Sequence, residues 1–192
     1  MIVVCGDLGA IGRHERAALA VARAAAAAGN DVQLVGIVPE GVEEDARLIA
    51  LASAGVGHAA ALRMPLRPLE RADLDLALRY LPDVRVIVAL ELDASIHGVI
   101  GEASAYTAAF LILVTTTPLA ASEPGGGLPS DVIVLEAPPQ DRDGTFAGFV
   151  GTLAAKLDAG AAPADAWDAT LSVLAVDAVS AARGPRARRA AG

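Results

Sequence analysis

Three glycines near the start of the chain have the spacing of a dinucleotide-binding turn. Gly6, Gly9 and Gly12 follow the apolar run 2–5 in the order G-x-x-G-x-x-G and precede an alanine-rich segment. Glycines let a backbone approach a pyrophosphate, and the amino terminus of a following helix adds partial positive charge. Glu40, beyond the next apolar run, is the candidate partner for a ribose hydroxyl. A tight strand-to-helix turn explains the glycines equally without a ligand, and we favour that interpretation over a nucleotide or NAD(P) site.

A second group of polar residues, Asp141, Arg142, Asp143 and Gly144, stands directly before a predicted helix at 145–160. A carboxylate in that place can accept hydrogen bonds from the free N–H groups of the first helical turn, and Asp143 is the expected cap, worth about 1 kcal/mol. The same cluster of charges could instead line an altered anion or small-molecule site.

Cysteine and histidine offer little chemistry. Cys5 lies in the apolar run IVVC, which predicts a buried, inert thiol. His14, His58 and His97 fall in separate segments without the spacing of metal ligands, so no metal site is expected.

Composition narrows the function further. Of 192 residues, 54% are hydrophobic and 20% charged, which excludes a disordered chain. A net charge of −8 and an aromatic content of 3% argue against nucleic-acid binding. No apolar run reaches the roughly 20 residues needed to span a bilayer, and no secretory signal is visible. We therefore expect a soluble cytoplasmic protein with no membrane partner.

Apolar runs and amphipathic stretches alternate along the chain, which predicts an α/β domain with a mostly parallel sheet. Alanine is so abundant that we discount it when judging helix faces, and in the second helix we assign Leu48, Ile49 and Leu51 to the apolar face. The predicted strands cover 2–5, 32–38, 84–92, 110–116 and 131–137, with 84–92 as a central strand. The predicted helices cover 14–28, 43–55, 74–81, 94–107, 145–160 and 163–182. The glycine-rich segment 121–130 is expected to be a flexible connection.

Several passages match a known pattern in the correct order. They are VQLVGIVPEG (32–41), LASAGVGHAAALRMP (51–65) and GTFAGFVGTLAAKLDAG (144–160). In these passages the chain resembles the ribokinase (PfkB-type) carbohydrate kinases, shortened and degenerate at the catalytic motifs. The resemblance implies a three-layer ribokinase-like fold over 1–182, with helices on both sides of the sheet. The basic end 183–192 is expected to be a disordered tail.

The resemblance also assigns roles to the residues before the helix at 145–160. The family's GAGD motif aligns with Asp141, Arg142, Asp143 and Gly144, so the catalytic-base position holds Gly144, which has no side chain to take a proton. Asp141 and Asp143 replace the glycines of the anion hole, where carboxylates would repel the γ-phosphate of ATP. A register shifted by one residue would make Asp143 the base, and an active enzyme would then need ATP and Mg²⁺.

The substrate region departs from the family in the same way. Asp7, Gly12 and Arg16 fall where the family grips its sugar, and Arg16 replaces an asparagine. Few residues separate the first strand from the first helix, so the β-sheet lid of the family is expected to be absent. The sequence thus predicts a family member without phosphotransfer or cofactor, serving as a small-molecule-binding or interaction module. We expect a homodimer, because apolar surface left without a lid favours self-association. An active sugar or nucleoside kinase is the first alternative, and an NAD(P)-binding domain the second.

Overall fold

The computed structural model describes residues 1–6, 8, 13–116 and 128–183, with the backbone alone at 13–16 and 175–183. The strands are β1 (Ile2–Cys5), β2 (Val32–Val38), β3 (Val56–Gly57), β4 (Ala61–Arg63), β5 (Val86–Leu90), β6 (Phe110–Thr115) and β7 (Ile133–Glu136). The helices are α1 (Arg13–Ala27), α2 (Val42–Ser53), α3 (Arg71–Tyr80), α4 (His97–Thr107), α5 (Thr145–Asp158) and α6 (Pro163–Arg183). One turn of 3₁₀ helix, Ala94–Ile96, precedes α4.

The strands form one sheet in the order β3-β2-β1-β5-β6-β7, and β4 pairs with the second half of β2. Every pairing among the described strands is parallel. Parallel strands need helical crossovers, and those crossovers cover the sheet on both faces. Consequently β1 and β5 are buried at every residue, and the predicted central position of the 84–92 segment is confirmed.

Side chains alternate along the strands and feed two separate cores. In β1, Ile2 and Val4 face the core shared with α1, α2, α5 and the start of α6. Val3 and Cys5 face the opposite core, which α3 and α4 complete. The fold is therefore the predicted three-layer α/β arrangement, with helices on both sides of a parallel sheet.

Small residues bring α1 and α5 close together, which positions the start of α5. Ala18, Ala22 and Ala25 are fully buried. A Cβ added at Gly151 of α5 would lie 2.6 Å from the Ala24 Cβ and 2.8 Å from the Val21 carbonyl oxygen. Any larger side chain there would separate the helices. The alanines that we discounted for helix faces thus form the contact face of α1.

Other differences from the sequence prediction lie mainly at boundaries. The strand predicted at 84–92 ends at Leu90, and the helix predicted at 74–81 begins already at Arg71. The short strands β3 and β4 were not predicted. Ile49 is 68% exposed, so its assignment to the apolar face of α2 is wrong, whereas Leu51 of that face is buried.

Part of the prediction falls where the structure gives no description. Residues 117–127, which hold most of the glycine-rich connection, and residues 184–192 of the basic end lie outside the described residues. Arg183, assigned to the tail, is instead the last residue of α6. Among the described helices, none is both long and apolar enough to cross a bilayer.

Candidate functional site

The start of α5 is shaped by a glycine in the left-handed region. Gly144 has φ +73° and ψ +12° and ends the turn that carries the chain from β7 into the helix. Its carbonyl accepts the first helical hydrogen bond, from the Gly148 N–H at 2.8 Å. The N–H groups before Gly148 have no carbonyl one turn earlier, so they need partners from elsewhere.

Two aspartates of the preceding turn supply those partners. The carboxylate of Asp141 accepts from the backbone N–H of Phe146 at 3.0 Å and of Ala147 at 2.9 Å. Asp143 accepts from the N–H of Thr145 at 3.3 Å. The sequence predicted a cap from Asp143, but the shorter bonds and two of the three amides belong to Asp141. A carboxylate at this position is also favoured by the helix dipole.

These residues form one wall of a cavity of about 640 Å³, which we call the α5 cavity. It opens where β5, β6 and β7 end, because the carboxyl ends of parallel strands meet at one edge of a sheet. The lining residues are Ala17, Ala20, Glu91, Val114, Ala137, Pro138, Gln140, Asp141, Arg142, Asp143, Gly144 and Phe146. The structure therefore brings all four residues of the predicted anion-hole region to one cavity.

Glu91 also lines the cavity and adopts a strained backbone. It follows the last residue of β5 with φ +50°, a left-handed conformation that costs a residue with a side chain about 1–2 kcal/mol. Its N–H donates to the Val114 carbonyl at 2.8 Å, which fixes the bend against β6. Strain of this kind clusters at binding and catalytic sites.

Among the described residues, the charged lining of the cavity comprises three carboxylates and one guanidinium: Glu91, Asp141, Asp143 and Arg142. The Arg142 Nε donates to the side-chain oxygen of Gln140 at 2.6 Å. Hydrogen bonds from the backbone N–H and the hydroxyl of Thr145 hold the pKa of Asp143 below its usual value. Asp143 is exposed, so solvent screens this effect. The described part of the lining is therefore acidic on balance, with apolar patches from alanine, valine and phenylalanine side chains.

The residues predicted to grip a substrate are only partly described. Asp7, Gly9 and Gly12 lie outside the described residues, and of Arg16 only the backbone in α1 is described. Gly6 is buried at the end of β1, where an added Cβ would lie 3.1 Å from the Ala18 Cβ. Close packing of α1 on the sheet therefore explains this glycine. Glu40 is exposed in the turn between β2 and α2.

The remaining candidates have structural surroundings. Cys5 is fully buried, as predicted, and burial raises the pKa of its thiol to about 12. His97 is buried beside the Leu92 carbonyl, 3.1 Å from its Nε2 atom. Within the described ranges, no group of three or more histidine, cysteine, aspartate or glutamate residues is arranged to hold a metal ion.

The chain is thus a parallel α/β protein with a cavity at the carboxyl edge of its sheet. No family model matches the sequence, and no curated protein matches it. Among solved structures, Sa239 aligns with a TM-score of 0.61 at 11% identity, over 91% of this chain and 92% of that one. A candidate phosphofructokinase from Staphylococcus aureus aligns with a TM-score of 0.56 at 11% identity, over 91% and 90% of the two chains. These likenesses confirm the predicted ribokinase-like fold.

The fold family implies ATP and Mg²⁺. The hydrogen bonds at the start of α5 show whether a triphosphate could be held there. The resemblance would put the terminal phosphate of ATP on the first amides of α5. Asp141 already accepts the N–H groups of Phe146 and Ala147, and a phosphate there would meet its negative charge. The described residues therefore do not fit a bound triphosphate at this helix.

Sequence reasoning missed Glu91 and the apolar wall. Glu91 was included in the predicted strand, although an acidic residue just after a buried parallel strand is a signal for the carboxyl edge of the sheet. Ala17, Ala20 and Phe146 carry no chemical signal of their own. Only the packing of α1 against α5 brings them to the cavity.

Proposed function

We propose that this chain is a ribokinase-like protein that binds a small polar molecule in the α5 cavity and does not transfer phosphate. One observation above all supports the proposal: the carboxylate of Asp141 occupies the N–H groups of Phe146 and Ala147. In a working kinase those groups would stabilise the transferred phosphate. Gly144, in the base position, carries no group that could take a proton from a substrate hydroxyl.

The expected loss of rate is large. A general base contributes on the order of 10²–10⁴-fold, and one donor of an anion hole on the order of 10²–10³-fold. Because such groups act as a unit, loss of both leaves no turnover above the background.

A coupled assay of ATP consumption against common sugars and nucleosides tests this proposal. We expect no substrate-dependent consumption with the wild-type protein. Sugar-dependent turnover that disappears in Asp143→Ala would refute the proposal. It would instead support an active kinase in the shifted register, in which Asp143 is the base. The favourable observation for that alternative is that Asp143 is exposed and lines the cavity.

Binding in the cavity is tested separately by thermal shift with the same unphosphorylated sugars and nucleosides. A ligand of the wild-type protein should lose its stabilising effect in Ala137→Trp, which fills the cavity from the end of β7. Ala105→Trp places the same side chain at an exposed position of α4 outside the lining and should leave binding unchanged. Equal stabilisation of all three proteins would place the ligand elsewhere and refute the cavity as the site.

The NAD(P) alternative retains one favourable observation, the sheet order. An order of 3-2-1 followed by strands on the other side of β1 is also that of dinucleotide-binding sheets. We expect no rise in melting temperature on titration with NAD or NADP. A rise that Gly9→Val abolishes would make the dinucleotide function the better proposal.

Self-association is part of the proposal as an interaction module. Large apolar side chains are exposed on the described surface, among them Val42 at 87% and Tyr106 at 92%. The missing lid would place the dimer interface near the opening strand and residues 6–16, but β1 is central and fully buried, so the strand itself offers no surface. The proposed interface therefore depends on the residues after it. Sedimentation equilibrium should give about twice the 19.3 kDa monomer mass, and a monomer mass at all micromolar concentrations would exclude the dimer.

A further inference from the structure

The turn before α5 also bears on which ligands the α5 cavity accepts. We propose that Asp141 is a specificity-determining residue that makes the cavity select unphosphorylated polyols and exclude their phosphorylated forms. This inference rests on the proposed function as a small-molecule site. It adds the class of ligand and the residue that sets it.

The first step concerns occupancy. A helix amino terminus inside a cavity attracts anions because its free N–H groups point outward and its dipole is positive there. In this protein the two oxygens of Asp141 each accept one of those N–H groups, at 3.0 Å from Phe146 and 2.9 Å from Ala147. The carboxylate is tethered six residues before Ala147, so it competes as an intramolecular ligand against any anion from solution.

The second step concerns charge. Among the described residues, the cavity lining contains Glu91 and Asp143 besides Asp141, and its guanidinium, that of Arg142, donates to Gln140. A phosphoester that displaced Asp141 would free a third carboxylate beside its own two negative charges. The net charge of −8 on the chain adds to this repulsion.

The third step concerns what remains acceptable. Carboxylate oxygens accept hydrogen bonds from hydroxyl groups, and the Phe146, Val114 and alanine side chains of the wall can pack against the C–H faces of a polyol. An uncharged polyhydroxylated molecule can donate hydrogen bonds to the carboxylates and pack against the apolar side chains. The phosphate of a phosphorylated molecule is repelled by the carboxylates, so only its apolar contacts remain.

The test removes the internal carboxylate and offers inorganic phosphate as the probe. Wild type, Asp141→Ala and Asp141→Asn are melted in 0–50 mM phosphate at constant ionic strength, and phosphate affinity is measured by calorimetry. We expect Asp141→Ala to melt below wild type without phosphate, to recover with it, and to bind phosphate at least tenfold more tightly than wild type does. Asp141→Asn retains an acceptor oxygen and should respond less.

Two controls separate occupancy of the amides from general charge. Asp143→Ala removes a carboxylate of the same cavity that accepts from the Thr145 N–H, and Asp168→Ala removes an exposed carboxylate of α6 outside the described lining. Asp168→Ala should respond to phosphate as wild type does, and Asp143→Ala should gain much less affinity than Asp141→Ala, because it leaves the Phe146 and Ala147 N–H groups covered. In ¹⁵N spectra of Asp141→Ala, the amide signals of Phe146 and Ala147 should move with phosphate.

Three results would overturn the inference: phosphate binding by wild type as tight as by Asp141→Ala, no gain in either Asp141 variant, or an equal gain in Asp143→Ala. These outcomes are distinct from failure of the proposed function. ATP turnover by wild type would refute that function, whereas phosphate binding by wild type would refute only the exclusion by Asp141.

Discussion

The helices α3 and α5 both begin at acidic side chains, yet their surroundings differ. At α3, Asp73 is buried and accepts two hydrogen bonds from Arg67, at 2.7 and 2.8 Å, and one from the Glu70 N–H at 2.9 Å. At α5, Asp141 binds only amides among the hydrogen bonds described here, and it faces a cavity. The carboxylate of Asp73 is paired with a guanidinium inside the fold. The carboxylate of Asp141 borders the cavity where a ligand would bind.

The difference separates a structural cap from a cap that also shapes a site. The charge of Asp73 is balanced by the Arg67 guanidinium, so its interactions act on stability alone. Among the described contacts, the carboxylate of Asp141 meets the partial positive charge of the helix end, and so its charge also acts on whatever enters the cavity. Substitutions at the start of α3 should therefore change stability alone, whereas substitutions at the start of α5 should also change ligand binding.

The largest effect is expected from Asp73→Ala. It removes three hydrogen bonds to a buried carboxylate and leaves the Arg67 guanidinium with the more distant Glu70 carboxylate, at 3.5 Å, and the Pro68 carbonyl, which should lower the free energy of unfolding by about 2–3 kcal/mol. Urea denaturation measures this change. Asp75→Ala, an exposed partner of Arg79 on the same helix, is the matched control and should change stability by about 0.5 kcal/mol or less. Equal effects of the two substitutions would contradict the structural role assigned to Asp73.

The two helix starts also show what the sequence can predict. The end of α3, the buried run of β5 and the Asp-Arg-Asp-Gly turn follow from local signals, and each was predicted within a few residues of its position in the structure. The bidentate pair of Arg67 and Asp73 was not predicted. Glu91 and Asp141 meet at one cavity only because β5 and β7 end at the same edge of the sheet, a consequence of strand order that local spacing does not contain.

The choice between Asp143 and Asp141 as the cap shows the same limit at shorter range. Spacing placed Asp143 next to the helix, where a cap normally stands. Because Gly144 is left-handed, the turn instead brings Asp141 back over the first amides. A backbone conformation at one residue thus decided which carboxylate reaches the helix.

An intermediate effect is expected at Gly144. Gly144→Ala introduces a side chain at φ +73°, where an added Cβ meets nothing within 4 Å, so the cost is conformational and amounts to about 1 kcal/mol. Gly148→Ala, one turn into α5 and equally uncrowded, should stabilise the protein by about 0.5–1 kcal/mol, since alanine is the better helix former. Chemical denaturation of both variants measures the opposite signs, and the same sign for both would contradict the turn geometry.

Gly144→Asp extends this comparison to function. The substitution supplies a carboxylate at the family's base position, but Asp141 still covers the amides of Phe146 and Ala147. We therefore expect no kinase activity in the coupled ATP assay. Appreciable activity in this variant would show that the covered amides are dispensable, and the account of phosphotransfer given above would be wrong.

The smallest effect is expected from Asp143→Asn, seen only as a change in the dependence of stability on pH. The pKa of Asp143 is lowered by hydrogen bonds from Thr145, and that of Asp73 by hydrogen bonds from Arg67. A lowered pKa in the folded state gives stability that is present above the unfolded value of about 4 and is lost as the pH falls below it. Melting temperatures between pH 6 and pH 3 should therefore fall slightly less steeply for Asp143→Asn than for wild type.

Asp73→Asn should flatten the curve more, because Asp73 is buried whereas solvent screens Asp143. If Asp143→Asn flattened it more, the exposed turn before α5 and not the buried pair at α3 would govern the acid response.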